Sequence, residues 1–262
     1  MQRIDKLLVE KGYFESRSSA QAAIMAGLIS VKQQVVQKAS TLIDEDVEIK
    51  IKETQRYVSR GALKLKKALD AFAIDVHDKL ALDAGTSTGG FAQVLLEQGA
   101  KKVIAVDVGY GQFDYKLRQD NRIELYERTN IRYFDAESID SVDLAVADLS
   151  FISVIKVIDN MLKMLKGNGE LLILIKPQFE AEPKFAKKGV VRDKQVHKRV
   201  LFDVIHGLEK KKLYLSGLTY SPITGPKGNM EFLAYFKRRP QREIDVQKNI
   251  ENVVNQAHKE LE

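Results

Sequence analysis

The sequence contains no cysteine and no tryptophan among its 262 residues, and only four histidines. The absence of cysteine excludes disulfide bonds, thiolate metal ligands and a cysteine nucleophile, and it fits the reducing cytoplasm. The histidines form no pair at metal-ligand spacing; they are His77, His197, His206 and His258. We therefore predict a cytoplasmic protein without a metal site.

Long hydrophobic runs are also absent. The longest ones, such as residues 171–175, are far shorter than the roughly 20 residues that cross a bilayer. The first residues, MQRIDKLLVEKGYF, carry charges throughout and no apolar stretch typical of a signal peptide. These patterns argue against a membrane partner. The net charge of +6 is compatible with a polyanionic partner, although many basic proteins bind none.

Residues 1–55 are predicted to form a small α+β domain. Apolar residues recur at helical spacing around Leu7 and Ala23, and Gly27 ends the second helix. Short strand-like stretches follow at residues 28–31, 35–36 and 47–51. A basic linker, residues 56–61, then leads into a helix with Leu65 on its apolar face. The cations of this region form either a solvated surface or a set of phosphate contacts.

From residue 79 onward, the pattern alternates between strand and helix. The predicted buried strands are residues 80–83, 103–107, 123–126, 142–148 and 171–175, and helices are expected around 90–98, 152–165 and 194–210. This alternation predicts an α/β, Rossmann-like domain, residues 56–262, with a mostly parallel sheet of seven strands. Residues 213–220 and 230–236 are expected to form an antiparallel hairpin at the sheet edge. Residues 241–262 are predicted to form a helix that packs on the domain or on a second copy.

The segment from Asp83 to Phe91 runs from a buried strand into a helix and carries three glycines. Their spacing differs from the G-x-G-x-x-G that wraps the pyrophosphate of a dinucleotide. Asp107 ends the next strand, where an acid accepts hydrogen bonds from ribose hydroxyls. We therefore predict that residues 79–107 bind S-adenosylmethionine, a nucleoside cofactor without pyrophosphate. The predicted cofactor-binding residues are Asp83, Gly85, Ser87, Gly89, Gly90, Phe91, Asp107, Asn130 and Asp148.

Four polar residues are expected to meet at the carboxyl ends of the strands, the edge where parallel sheets bind ligands. These predicted catalytic residues are Lys64, Asp148, Lys176 and Glu231. Methyl transfer to a hydroxyl requires removal of the proton and alignment of the oxygen with the methyl group. Desolvation and a neighbouring cation lower the pKa of lysine side chains in general from about 10.4. Lys176 is therefore predicted to act as base or orienting donor. For each residue taken alone, a salt-bridged strand end is the simpler explanation.

Taken together, these segments resemble the TlyA family, which joins an RNA-binding module of the ribosomal-protein type to an FtsJ-like methyltransferase. The resemblance covers essentially the whole chain. Its motifs are residues 3–8, 16–17, 26–29, 57–65, 83–91, 176–180 and 189–193. One departure concerns the first module, where the family often has an Asn-Gly turn after its valine. Val31 is instead followed by Lys32, Gln33 and Gln34, which leaves the conformation of this hairpin open.

The resemblance implies 2′-O-methylation of a cytidine ribose in ribosomal RNA or ribosomal subunits, and a Lys-Asp-Lys-Glu tetrad at the four positions above. The cations of the first module and the linker are expected to hold the RNA through its phosphates. These predicted RNA-binding residues are Arg3, Arg17, Lys32, Lys38, Arg56 and Arg60. Two other hypotheses are a membrane-active haemolysin, a label that the family carries, and a non-enzymatic RNA-binding protein with a relic cofactor fold.

Overall fold

The computed structural model describes residues 1–14, 16–52, 56–239 and 244–261. The chain divides into two compact units, an N-terminal unit, Met1–Arg56, and a C-terminal unit, Tyr57–Glu262. Over the described ranges, none of the helices combines the length and the apolar character that a membrane span requires.

The N-terminal unit combines two short helices with five short strands. The helices are α1 (Ile4–Glu10) and α2 (Arg17–Met25), and the strands are β1 (Gln2–Arg3), β2 (Ile29–Val31), β3 (Gln34–Val35), β4 (Leu42–Ile43) and β5 (Ile49–Ile51). Helix α2 begins after Ser16, whose hydroxyl accepts a hydrogen bond from the Ser19 N–H. The hydrophobic core of the N-terminal unit is formed by side chains such as Ile4, Leu8 and Ile24. The sequence pattern does not predict β1 and β4, because two residues show no readable alternation.

The hairpin between β2 and β3 has a well-defined turn although it lacks the Asn-Gly sequence that is common in the family. Lys32 and Gln33 have φ angles of 47° and 67°, both in the left-handed region. The flanking residues Val31 and Gln34 pair directly across the two antiparallel strands. Two left-handed residues in a two-residue loop are typical of a type I′ turn, which usually contains Asn-Gly. The hairpin therefore adopts this turn without glycine, and its tip presents Lys32 to solvent.

The C-terminal unit is built on a seven-stranded sheet, which confirms the predicted fold class. Its strands are β6 (Leu80–Ala84), β7 (Lys102–Val106), β8 (Ile123–Tyr126), β9 (Val142–Ala147), β10 (Leu165–Ile175), β11 (Tyr214–Tyr220) and β12 (Phe232–Lys237). Their spatial order is β11-β12-β10-β9-β6-β7-β8. Within the described part of this sheet, β12 alone is antiparallel to the other strands. Strands β11 and β12 form the expected antiparallel hairpin, with β11 at the edge.

Helices cover both faces of this sheet. They are α3 (Ala62–Phe72), α4 (Gly90–Glu97), α5 (Tyr115–Arg118), α6 (Ile158–Met164), α7 (Pro177–Glu180), α8 (Lys194–Glu209) and α9 (Val246–Leu261). Helices α3 and α4 share one hydrophobic core with Ala81 of β6, and α6, α8 and α9 share the other core with Leu82. Because adjacent strand residues point to opposite faces, these cores lie on opposite sides of the sheet. Helix α9 thus packs on its own unit, through Ile250 and Val254.

Three elements of the C-terminal unit begin more than two residues away from the predicted position. Strand β10 has 11 residues, more than the predicted 171–175, because its polar and glycine-containing first half carries no strand pattern. The predicted helix 152–165 is shorter, since a 3-10 turn at Val154–Lys156 precedes α6. The predicted final helix begins only at Val246, and its residues 241–243 and 262 lie outside the described residues.

Candidate functional site

The loop between β6 and α4 is shaped by its glycines. Gly85 and Gly89 have φ angles of 83° and 95°, in the left-handed region that favours glycine. A Cβ atom on Gly85 would lie 2.6 Å from the carbonyl oxygen of Asp148, and one on Gly90 would overlap the Ser59 hydroxyl. Contacts within the protein therefore require glycine at positions 85 and 90.

A cleft of about 480 Å³ opens beside this loop, next to the residues that follow β6, β7 and β9. Five of the predicted cofactor residues line it: Gly85, Ser87, Asp107, Asn130 and Asp148. The other four, Asp83, Gly89, Gly90 and Phe91, are not among its lining residues. Phe91 lies instead in the hydrophobic core with α3. The structure therefore brings five of the nine predicted residues to one cleft, and the cofactor role of all nine stays a prediction.

Asp83 is a fully buried carboxyl group near the end of β6. Its Oδ2 atom accepts a hydrogen bond of 2.6 Å from the Thr86 hydroxyl. Burial raises the pKa of Asp83 to about 7; the Thr86 hydrogen bond opposes this effect, and the nearby Asp148 carboxylate adds to it. The protein therefore holds a carboxyl group that is costly to ionise directly beside the cofactor loop.

Asp107 and Asn130 are held at the edge of the cleft by backbone hydrogen bonds. The Asp107 carboxylate accepts the Ser87 N–H at 2.8 Å and the Gly109 N–H at 2.6 Å, one on each oxygen. Each carboxylate oxygen keeps a second acceptor site for a ligand hydroxyl. The Asn130 Oδ1 atom accepts the Arg132 N–H at 3.0 Å. Both side chains are thus oriented by the chain itself.

The four predicted catalytic residues come together in one row. Lys64 Nζ lies 2.5 Å from Glu231 Oε2 and 3.8 Å from Asp148 Oδ2, and Lys176 Nζ lies 2.6 Å from Asp148 Oδ1. Both lysines are 8% exposed and Glu231 is fully buried. Acids and bases alternate in the order Glu231, Lys64, Asp148, Lys176. Asp148 also lines the cleft, so the row, which we call the tetrad, reaches the cleft.

Two polar contacts of the tetrad escaped the sequence analysis. Lys176 Nζ donates a hydrogen bond of 2.9 Å to the Ser150 hydroxyl. Gln178 Nε2 donates one of 3.2 Å to the Oε1 atom of Glu231. Ser150 and Gln178 each lie two residues after a tetrad member in the sequence. Their closeness in sequence to Asp148 and Lys176 was the available signal, but strand alternation does not apply to them, because β9 ends at Ala147 and Gln178 lies in α7.

Phe151 is an exposed aromatic residue in a strained conformation at the mouth of the cleft. Its side chain is 89% exposed and its φ angle is 63°. A left-handed conformation costs an L-residue with a side chain roughly 1–2 kcal/mol. The Phe151 ring lies 5.1 Å from the ring of Phe179, and Lys176 Nζ lies 5.9 Å from that second ring. The structure therefore keeps an aromatic surface beside the tetrad at a cost in stability.

In the N-terminal unit, Arg3 and Arg17 converge on the fully buried carboxylate of Asp5. Arg3 donates two hydrogen bonds of 3.0 Å, Arg17 one of 2.9 Å and Gln21 one of 2.8 Å. The Arg3 hydrogen bond is the main reason that the pKa of Asp5 lies well below its usual range. The arginine side chains remain 40% and 50% exposed. Asp5 thus fixes two cations of the unit while leaving them open to a ligand.

The other predicted RNA-binding residues are exposed; they are Lys32, Lys38, Arg56 and Arg60. Arg60 belongs to the C-terminal unit, where the adjoining Val58 N–H donates a hydrogen bond of 2.9 Å to the Gln93 side chain. The part of the chain that the structure describes holds no group of three histidine or acidic residues suited to a metal ion.

Comparison with protein families matches residues 57–238 to the FtsJ-like methyltransferases and residues 2–49 to the S4 domain. TlyA of Mycobacterium tuberculosis, named a 16S/23S rRNA (cytidine-2′-O)-methyltransferase, is 38% identical over 259 residues, covering 97% of this chain and 96% of that protein. The chain belongs to the TlyA family. Hemolysin A of Brachyspira hyodysenteriae is 41% identical, covering 89% of this chain and 99% of that one. A solved Streptococcus thermophilus structure, provisionally described as a hemolysin, matches with a TM-score of 0.76 and 41% identity over 99% of this chain and 96% of that one.

Membership of the TlyA family confirms the predicted methyltransferase class and its cofactor, S-adenosylmethionine. The cleft has a size typical of small-molecule sites, and its described lining includes the carboxylates of Asp107 and Asp148 but no lysine or arginine. An acidic lining suits a cofactor with a positively charged sulfonium and disfavours the phosphates of a dinucleotide. The residues of this TlyA-family chain therefore fit the cofactor. Asp107 supplies a hydrogen-bond acceptor to the lining of this cleft, and Val108 and Ile131 supply apolar surface.

Proposed function

We propose that this protein methylates the ribose 2′-hydroxyl of a cytidine in ribosomal RNA, in the cytoplasm where ribosomes assemble. The observation that carries the proposal is the row of Glu231, Lys64, Asp148 and Lys176, which meets the cofactor cleft at Asp148. A hydroxyl is a poor nucleophile until its proton is removed, and the buried amine of Lys176 at the end of the tetrad supports a role in that step. The RNA methyltransferase names of its relatives and the S4 domain support RNA as the acceptor.

In this mechanism, S-adenosylmethionine supplies an electrophilic methyl group on a positively charged sulfur. Lys176 Nζ, held by Asp148 and Ser150, would orient the 2′-hydroxyl or accept its proton as the O–CH₃ bond forms and the S–CH₃ bond breaks. Lys64 bridges Asp148 and Glu231 and thereby keeps Asp148 in place. Because the two lysines are almost fully buried, their contacts are little screened by water.

The test of this function is methyl transfer from labelled cofactor to ribosomal subunits and to naked ribosomal RNA. A methylated 2′-oxygen resists alkaline cleavage, so we expect a protected position at a cytidine in one substrate or both. Label on a base, or no transfer to any ribosomal substrate, would contradict the proposal. The comparison of subunits with naked RNA also identifies the form of RNA that is recognised.

In the N-terminal unit, we expect Asp5→Asn to weaken RNA binding, because Arg3 and Arg17 lose the carboxylate that positions them. Because the pKa of Asp5 is lower in the folded protein, its ionised carboxylate stabilises the fold at pH values above its ordinary pKa. This stabilisation is lost as the pH falls through the pKa of the folded state. After allowance for the exposed arginines, the variant should lose on the order of 1–2 kcal/mol at neutral pH. Filter binding and thermal unfolding measure both effects.

Glu48→Gln is the matched control for this experiment, because it removes an ion pair between two exposed side chains. Glu48 is 77% exposed and its partner Lys50 is 60% exposed. We expect little change in stability from that control. Unchanged RNA affinity in Asp5→Asn would show that RNA binding does not depend on the positioning of Arg3 and Arg17 by Asp5.

The aromatic surface of Phe151 and Phe179 is suited to stack against an unpaired base of the substrate. Single-stranded RNA segments are commonly recognised by such stacking, which contributes about 1–3 kcal/mol per base. We expect Phe151→Ala to lower kcat/KM for RNA by about 10- to 100-fold, in line with that range. Thermal stability should be retained, and cofactor affinity is measured separately because Phe151 also lines the cleft.

Phe202→Ala provides the control, because Phe202 is also exposed, at 48%, but stacks with His206 on α8. Steady-state kinetics with ribosomal RNA compare the two variants. Equal kcat/KM in Phe151→Ala and the wild type would show that Phe151 does not stack on a base of the substrate. The left-handed backbone conformation of Phe151 would then have no role in RNA binding.

A further inference from the structure

The connection between β11 and β12, residues 221–231, forms a closed turn that ends at the tetrad acid; we call it the Glu231 turn. The Ser221 N–H donates a hydrogen bond of 2.8 Å to the carbonyl oxygen of Glu231 and so joins the two ends of the turn. Within it, the Gly225 N–H donates one of 2.8 Å to the carbonyl oxygen of Asn229. The backbone that carries Glu231 is therefore fixed by hydrogen bonds within the turn itself.

Gly225 lies directly against the Glu231 carboxylate. A Cβ atom added to Gly225 would overlap Oε1 and would lie 2.7 Å from Cδ of that side chain. The φ angle of Gly225 is −72°, which any residue adopts, so lack of space and not backbone strain requires glycine there. The carboxylate is held from other directions by Lys64 and Gln178. It therefore has no room to move away from a larger residue at position 225 without losing one of these contacts.

Asn229 connects the same turn to a second segment. Its side chain is 3% exposed, and its Oδ1 atom accepts the Val191 N–H at 3.1 Å. Its Nδ2 atom donates to the carbonyl oxygens of Gly189 at 2.9 Å and Pro226 at 3.0 Å. The acceptor and both donor hydrogens of the amide are thus used. The side chain ties residues 189–191 to the Glu231 turn and leaves no polar group free to bind a ligand.

We infer that Gly225 and Asn229 are positioning residues, which set the place of Glu231 and, through it, of Lys64. Gly225 acts by leaving space for the carboxylate, and Asn229 acts by holding the turn against residues 189–191. This inference rests on the proposed function for its effect on catalysis. Its geometric part concerns the contact of 2.5 Å between Lys64 Nζ and Glu231 Oε2, which can be observed directly.

The experiment compares Gly225→Ala with Gly167→Ala, a glycine of β10 whose added Cβ would meet no atom within 4 Å. In a crystal structure of Gly225→Ala, we expect the Glu231 carboxylate to have moved away from Lys64. Methyl transfer should show kcat lowered by about 10- to 100-fold, because small displacements of catalytic groups have effects of this size. KM for RNA and cofactor affinity should be unchanged, and Gly167→Ala should match the wild type in every respect.

Asn229→Asp is the second variant and provides a test that remains available if Gly225→Ala fails to fold. It retains the acceptor for the Val191 N–H but places a carboxylate oxygen opposite the carbonyl oxygens of Gly189 and Pro226. We again expect a lower kcat at unchanged KM. An intact Lys64–Glu231 contact together with wild-type kcat in the variants would overturn the inference. A wild-type protein that transfers no methyl group would refute the proposed function, and the crystal structure would still decide the positioning role.

Discussion

Lys176→Ala should abolish nearly all methyl transfer while the protein still folds and binds its cofactor. Lys176 Nζ is the amine that Asp148 and Ser150 hold at the end of the tetrad, beside the cleft. Removal of a positioned base or orienting group lowers rates by about 10²- to 10⁴-fold. The measurement is transfer of labelled methyl groups to ribosomal subunits under single-turnover conditions. Calorimetry with S-adenosylmethionine checks that the cleft is intact.

Lys166→Ala is the matched control, because Lys166 also forms a short ion pair, with Asp143, but its side chain is 43% exposed. It should transfer methyl groups at the wild-type rate. Lys176→Arg separates the two roles of the amine, since a guanidinium orients an oxygen but does not accept its proton. Substantial activity in Lys176→Arg would assign Lys176 to orientation alone. Wild-type activity in Lys176→Ala would refute both roles.

The second large effect is expected from Asp83→Asn, which should make the protein more stable at pH 8 and change little at pH 4. Burial raises the pKa of Asp83 to about 7, whereas the ordinary value is 3.8. The carboxyl group therefore contributes stability below pH 4, and this contribution is lost as pH rises through about 7. The difference corresponds to roughly 4 kcal/mol as an upper bound. Asparagine carries no charge to bury and can still accept the Thr86 hydroxyl hydrogen bond.

Thermal unfolding between pH 4 and pH 8 tests this prediction. The quantity compared is the difference between the midpoint temperatures of the variant and the wild type, which we call the gap. The control is Asp140→Asn, which removes an exposed carboxylate and shows any general effect of charge. A gap that stays constant with pH would show that Asp83 is not a buried acid with a raised pKa. A gap that opens between pH 4 and 7 would support it.

Much of the fold was predictable because its strands are short, continuous apolar runs between polar or glycine-rich turns. Residues 80–83 and 142–147 are of this kind, and both form central strands. The tetrad was predictable for a related reason. Asp148 and Lys176 directly follow buried strands, and parallel strands bring such positions to one edge. Glu231 likewise directly precedes the antiparallel β12, which returns it to that edge.

The remaining features depend on contacts between residues far apart in the chain. Gly90 is required by Ser59, 31 positions earlier, and Gly225 by the side chain of Glu231. The local sequence shows a glycine in each case but not the atom that excludes a Cβ. The same limit applies to Asp5 of α1, where three donor side chains, one from β1 and two from α2, surround one carboxylate. The type I′ turn at Lys32 and Gln33 is a different case, because tertiary pairing of β2 with β5 and β3 overrides the local preference for glycine.

The position of β12 in the sheet affects how the enzyme is made. This strand is the last of the sheet to be synthesised, yet it lies between β11 and β10 and forms antiparallel ladders with both. A nascent chain that ends before residue 231 lacks this strand, whose side chains belong to both hydrophobic cores, and also lacks the acid that pairs with Lys64. Domains generally fold as units during synthesis. Premature termination would therefore leave a fragment in which both the sheet and the tetrad are incomplete.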